Sequence, residues 1–150
     1  MLRRVFKKVI NINSVCVYCG FPAQARDHFL CYFRTRLPYY LPSCTLCNGL
    51  LNALLVDTMF KRLTYLSRKI SKRYKTILPV DYQYVNERNN ITKGTLFKQF
   101  KAEKEIQKMA KLKLAWIDLA QDIIGDIKLY DLPNDVGLKS RITEFIYANK

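Results

Sequence analysis

Two cysteine pairs constrain this chain more than any other feature. Cys16-Val17-Tyr18-Cys19 and Cys44-Thr45-Leu46-Cys47 are both C-x-x-C, with 24 residues between them. Two intervening residues let both thiolates of a pair face one tetrahedral Zn²⁺, so each pair supplies half of a four-sulfur shell. Gly20 follows the first pair and suits the tight turn such a knuckle needs. Nearby basic residues favour the thiolate form. Two disulfides would need a secreted chain, and a thioredoxin-type redox centre needs one pair rather than two. Structural zinc at Cys16, Cys19, Cys44 and Cys47 is the expectation. Cys31, among Phe29, Leu30, Tyr32 and Phe33, is read as a packing residue.

Charge narrows the partner. The 150 residues carry 26 Lys and Arg against 12 Asp and Glu, for a net charge of +14. Residues 1–80 hold 14 basic side chains and two acids, Asp27 and Asp57, whereas residues 81–150 hold 12 and 10. Such a field attracts phosphate backbones and speeds encounter with them. With 49% hydrophobic and 13% aromatic residues, the chain is a folded protein rather than a basic tail. Arg3, Arg4, Lys7 and Lys8 interrupt any apolar run long enough for a secretory signal. The longest uncharged run, residues 37–56, contains two prolines, two cysteines and polar residues, so no membrane span and no membrane partner are expected.

Between the pairs lies Arg26-Asp27-His28, which joins the one histidine to one of the two acids of the first 80 residues. A carboxylate can hold a divalent cation, and a neighbouring imidazole can take a proton from water near neutral pH. A zinc deaminase would need a glutamate proton shuttle, and the first glutamate is Glu87, outside this region.

Cys16-x-x-Cys19, Arg26-Asp27-His28 and Leu41-Pro42-Ser43-Cys44-x-x-Cys47-Asn48, followed by a basic helix ending Lys72-Arg73-Tyr74, resemble the zinc-containing HNH endonucleases. The likeness covers residues 14–55, loosens towards residue 80 and is faint beyond. It implies an α+β fold: a ββα-metal, zinc-stabilised nuclease core over residues 1–80, followed by long α-helices over 81–150. It implies His28 as general base, Asp27 and Asn48 as ligands of a catalytic Mg²⁺ or Mn²⁺, and DNA as substrate. The family's middle Asn falls at Tyr39, whose carbonyl or hydroxyl would orient His28, and its frequent Pro falls at Cys31. Phage junction-resolving endonucleases share the order of motifs. A zinc-stabilised nucleic-acid-binding protein that has lost catalysis is the reading outside the enzyme class. Cysteines kept reduced for metal imply a cytoplasmic setting, and the likeness points to a phage or prophage origin.

Elsewhere the pattern is helical. Leu55, Met59, Leu63, Leu66, Ile70, Tyr74 and Ile77 recur at three- and four-residue steps. Lys61, Arg68, Lys72 and Lys75 line the opposite side, flanked by Arg62, Lys69 and Arg73. With Arg26, Arg34 and Arg36, the first four are the candidate nucleic-acid contacts; a solvated face is the equal alternative. Pro79 stops this helix and residues 81–94 read as a connector. Thr95 caps a second long helix with the stripe Leu96, Phe100, Ile106, Ala110, Leu114, Ile117 and Ile124, closed by Gly125. Trp116 packs. After Pro133 a last helix presents Ile142, Phe145 and Ile146. These later helices either fold back on the core or form a homodimer.

Overall fold

In the computed structural model, which describes residues 15–27, 29, 40–52, 54–89, 94–132 and 136–149, the first cysteine pair forms a closed turn. The Gly20 amide donates to the Cys16 carbonyl at 2.9 Å and the Cys16 amide to the Phe21 carbonyl at 2.7 Å. Gly20 has φ +76°, a conformation that glycine adopts without steric cost. His28, Cys31, Arg34, Arg36 and Tyr39 lie outside the described residues, as do the first 14 residues and the Pro133 linker.

Strand β1 (Ala25–Asp27) pairs antiparallel with β2 (Leu41–Ser43), in the register Ala25 to Ser43, Arg26 to Pro42 and Asp27 to Leu41. The Pro42 carbonyl accepts the Val17 amide at 3.1 Å. A residue's N and C=O point to the same side of a strand, so the N–H that proline lacks faces the knuckle and costs the β1–β2 ladder nothing. Helix α1 (Thr45–Leu51) follows at once, with Cys44 as its N-cap and Asn52 (φ +41°) as its exposed C-cap. The described residues are thus mixed α/β, a two-stranded antiparallel sheet with five helices.

Helix α2 (Met59–Arg73) is capped by Thr58, whose hydroxyl accepts the Lys61 amide at 3.3 Å. Its first amides find distant partners: Met59 donates to the Ile127 carbonyl and Phe60 to the Gly125 carbonyl, both at 2.9 Å. These would otherwise be unpaired donors of a helix N-terminus. Met59, Leu63, Leu66 and Ile70 are fully buried, each worth about 1.5–3 kcal/mol in apolar transfer. Leu55 precedes the helix and is 39% exposed, while Tyr74 and Ile77 follow it. Arg62, expected to flank the basic face, is instead fully buried among these apolar residues.

The connector expected over 81–94 contains helix α3 (Tyr82–Asn89), begun by the Asp81 carboxylate accepting the Tyr84 amide at 3.1 Å. Helix α4 (Gly94–Ile124) has 31 residues, about 46 Å of helix. It starts one residue before Thr95, which therefore lies in its first turn, and it ends at Gly125 as expected. Its buried stripe is Gln107, Ala110, Lys113, Ile117, Ala120 and Ile124. Leu96 is exposed because the first turns run beyond the core, and Ile106 because it lies beside the buried stripe rather than on it, next to buried Gln107. Phe100 meets Tyr82 edge-on at 5.5 Å. Helix α5 (Val136–Ala148) buries Ile142, Phe145 and Ile146. One buried cluster contains the knuckle, α1, α2, α4 and α5, with α2 against α4 as its main helix pair. No helix of the described residues is long and apolar enough to cross a membrane.

Two polar residues interrupt the α4 stripe, and each has a reason. Gln107 donates its amide to the carbonyls of Ile77, Leu78 and Val80 at 3.0, 3.1 and 2.6 Å, closing the turn that Pro79 introduces. Replacing it by Leu keeps the volume and leaves those acceptors without this donor. Gln107→Leu is expected to destabilise the fold by about 1–2 kcal/mol in urea denaturation. A midpoint equal to wild type would show the turn holding itself.

Candidate metal centre and the buried acid beside it

The four cysteines converge. Their sulfurs all lie within 4.8 Å of one another, Cys19 and Cys44 are 3.6 Å apart, and all four residues are buried. A zinc tetrahedron with bonds of about 2.3 Å has sulfur–sulfur edges of about 3.8 Å. A disulfide would bring two sulfurs to about 2.05 Å, whereas all four cysteines are free. The set suits a structural metal ion such as zinc, with every position of the shell supplied by protein sulfur. The first pair reaches the centre from the Gly20 turn. The second does so because helix α1 begins there, with the Cys47 amide donating to the Cys44 sulfur at 3.3 Å. Together the sulfurs divide their protons unequally. Hydrogen bonding with Cys16 holds Cys19 and Cys44 below the ordinary thiol range, while burial pushes Cys16 up and hydrogen bonding to Cys16 pushes Cys47 up. A divalent cation would displace the protons that remain.

Helix α4 closes the centre from the other side. Lys113, 3% exposed, brings its Nζ to 3.2 Å from Cys19 Sγ and 3.5 Å from Cys44 Sγ, with the Phe21 ring centroid at 4.1 Å. These are the two sulfurs held most readily as thiolates. Burial pulls the Lys113 ammonium down, yet the charges of Cys19 and Cys44 outweigh it and leave the pKa raised. One turn on, Trp116 donates from Nε1 to the Val17 carbonyl at 3.1 Å and meets Phe145 edge-on at 5.0 Å. Its ring covers Gly20 so closely that a Cβ there would stand 2.3 Å from Cε3.

Tyr18, inside the first C-x-x-C, leads to the candidate acid. Asp27 Oδ2 accepts from the Tyr18 hydroxyl and from Arg62 Nη2, each at 2.5 Å. Arg62 Nε donates to the Tyr18 oxygen at 3.0 Å and Nη1 to the Leu54 carbonyl at 3.1 Å. Asp27 is 2% exposed and the other two are fully buried. Burial pushes the Tyr18 phenol well above its ordinary value, so it stays a donor. Asp27 therefore ends β1 as the acceptor of a closed, hydrogen-bonded ion pair.

Asn48 lies half-buried on α1, its main-chain N–H donating to the Cys44 carbonyl at 3.0 Å, and α1 packs against β1. Arg26 is exposed and held over the Tyr40 ring at 5.1 Å, with Nη1 3.2 Å from the Tyr40 hydroxyl. Lys61 pairs with Asp57 at 2.7 Å, both exposed. Arg68, Lys72 and Lys75 are exposed on and just beyond α2. Sequence reasoning missed Tyr18, Arg62 and Lys113 as members of the site. Arg62 had a signal, since it lies three after Met59 and four before Leu66 on the apolar face. Lys113 likewise falls between Ala110 and Ile117 on the buried stripe of α4.

Cys16→Ser and Cys47→Ser are each expected to abolish tight zinc retention and to lower the melting temperature sharply, since metal binding here is folding energy. Metal analysis of the purified protein with thermal melts checks this. For the acid, Asp27→Asn and Arg62→Met are each expected to cost about 3–5 kcal/mol, because each leaves a buried charge without its partner. The double variant is expected to cost clearly less than the sum. Additive losses in denaturant unfolding would rule out the coupling.

No protein-family model matches the chain, and neither the curated proteins nor the solved structures contain a match to it.

Proposed function

We propose that the chain is a metal-dependent DNA endonuclease of HNH type, stabilised by zinc at Cys16, Cys19, Cys44 and Cys47. The observation that carries this reading is the order of parts around the cysteine cluster. The two pairs converge on a strand–strand–helix unit in which Asp27, the residue before the one histidine, ends β1. Asn48 follows the fourth cysteine on α1. His28 takes the proton from the attacking water, a role worth about 10²–10⁴-fold in rate. Tyr39 orients His28 in place of the family's middle Asn. A magnesium or manganese ion at Asp27 and Asn48 would supply stabilisation of the charge that develops on the scissile phosphate. Arg26, Arg34, Arg36, Lys61, Arg68, Lys72 and Lys75 hold the phosphate backbone by charge. Branched DNA is a further substrate form under the same chemistry.

One observation favours a second reading. Asp27 Oδ2 is already engaged by Tyr18 and Arg62 in a buried setting. An acid so occupied serves folding, and the protein would then bind nucleic acid through its basic surface without cutting it.

Nicking of supercoiled plasmid by the zinc-loaded protein, with and without added magnesium or manganese, separates the two. Wild type is expected to nick only with the added ion. His28→Ala is expected to bind equally well and lose about 10²–10⁴-fold in cleavage. Lys72→Glu is expected to weaken binding and flatten its dependence on salt. Binding without nicking under any of these ions would establish the second reading, and absence of binding would reject both.

A further inference from the structure

A zinc ion with four thiolates carries a net charge of about −2, and burying it without compensation is costly. The described part of the cluster receives one main-chain donor at sulfur, the Cys47 amide, and one full positive charge, Lys113. The lysine is itself 3% exposed, and no ion pair among the described residues includes it. An ammonium buried in this way needs the sulfurs as much as they need it. The remaining contact of Lys113, the face of Phe21, belongs to the knuckle as well. Three residues along α4, Trp116 bonds to the knuckle backbone at Val17 and covers Gly20. The cation and the indole thus attach α4 to the metal-binding turn at two neighbouring points.

We propose that Lys113 is the charge partner of the tetracysteine metal centre, so that metal binding and docking of α4 on the knuckle form one coupled event. Lys113 touches sulfur and supplies no ligand of its own. Its positive charge offsets part of the charge of the centre and disfavours protonation of Cys19 and Cys44, which holds the metal more firmly, while its hydrogen bonds draw electron density from the two sulfurs and make them poorer nucleophiles. The inference rests on the cysteines holding a metal and is independent of any nuclease activity.

Trp116 is the one tryptophan of the chain, so its emission reports docking directly. Full-length protein loaded with Zn²⁺ is titrated with a chromophoric chelator while zinc transfer and Trp116 fluorescence are followed together. In wild type the two changes are expected to coincide. Lys113→Met, which keeps the apolar stem, is expected to retain zinc about 10–100-fold less tightly. Lys113→Gln, which restores a donor without the charge, is expected to fall between. In the Co²⁺-substituted protein, loss of the hydrogen bonds in Lys113→Met is expected to move the thiolate-to-cobalt charge-transfer band to lower energy, and Gln to restore part of the shift. A helix that merely packed there would leave that band unmoved. Equal zinc retention in both variants, or an unmoved band, overturns the role of Lys113 while leaving the metal site intact. An emission change in wild type that does not follow zinc loss overturns the coupling. Wild type that takes up neither Zn²⁺ nor Co²⁺ overturns the metal centre itself and this proposal with it.

Discussion

Four buried sulfurs held within 4.8 Å would concentrate negative charge once they bind a metal as thiolates, and the surrounding architecture answers that demand. Two strands of three residues cannot bury such a centre unaided. The covering comes from a helix that starts 51 residues after the end of β2, and it brings a cation rather than another apolar side chain. The same helix supplies Ala110, Ile117, Ala120 and Ile124 to the core it shares with α2. Charge compensation and apolar burial therefore lie along one stripe of one element.

A second buried charge is answered in the same manner. Arg62 enters the core from α2 and meets Asp27 and Tyr18, so the knuckle, β1 and α2 share a single polar junction. Because Tyr18 lies between Cys16 and Cys19, the ion pair and the sulfur cluster are adjacent along the chain as well as in space. The third guanidinium contact, to the Leu54 carbonyl, extends the junction to the segment between α1 and α2. Residues that sequence alone divides between zinc binding and acid chemistry form one connected interior.

What could be read in advance followed the range of each interaction. The cysteine pairs were legible because two-residue spacing is local geometry, and α2 because Met59, Leu63, Leu66 and Ile70 repeat cleanly. Apolar periodicity places Leu96 and Ile106 on the stripe of α4, yet both are exposed, because periodicity fixes neither how far the partner surface extends nor which of two adjacent faces it covers. Gln107 and Lys113 were absent from it because their acceptors are carbonyls of residues 77–80 and sulfurs of the knuckle, which no local pattern announces. Helix α3 was hidden by its asparagines, residues that favour turns when nothing else decides. The partner of Asp27 was out of reach for the same reason, standing 35 positions further on.

The long reach of these contacts has a consequence for biosynthesis. All four cysteines have left the ribosome well before Lys113, which follows Cys44 by 69 residues. At about 5–20 residues per second, that interval lasts roughly 3–14 s. The amides that open α2 wait almost as long, since their acceptors are the carbonyls of Ile127 and Gly125 near the end of the late helix. During this window the nascent chain carries its sulfurs without their cation and its second helix without its first-turn acceptors. Metal captured then is held by the cysteines alone, and the finished centre forms when the late helix arrives to close it.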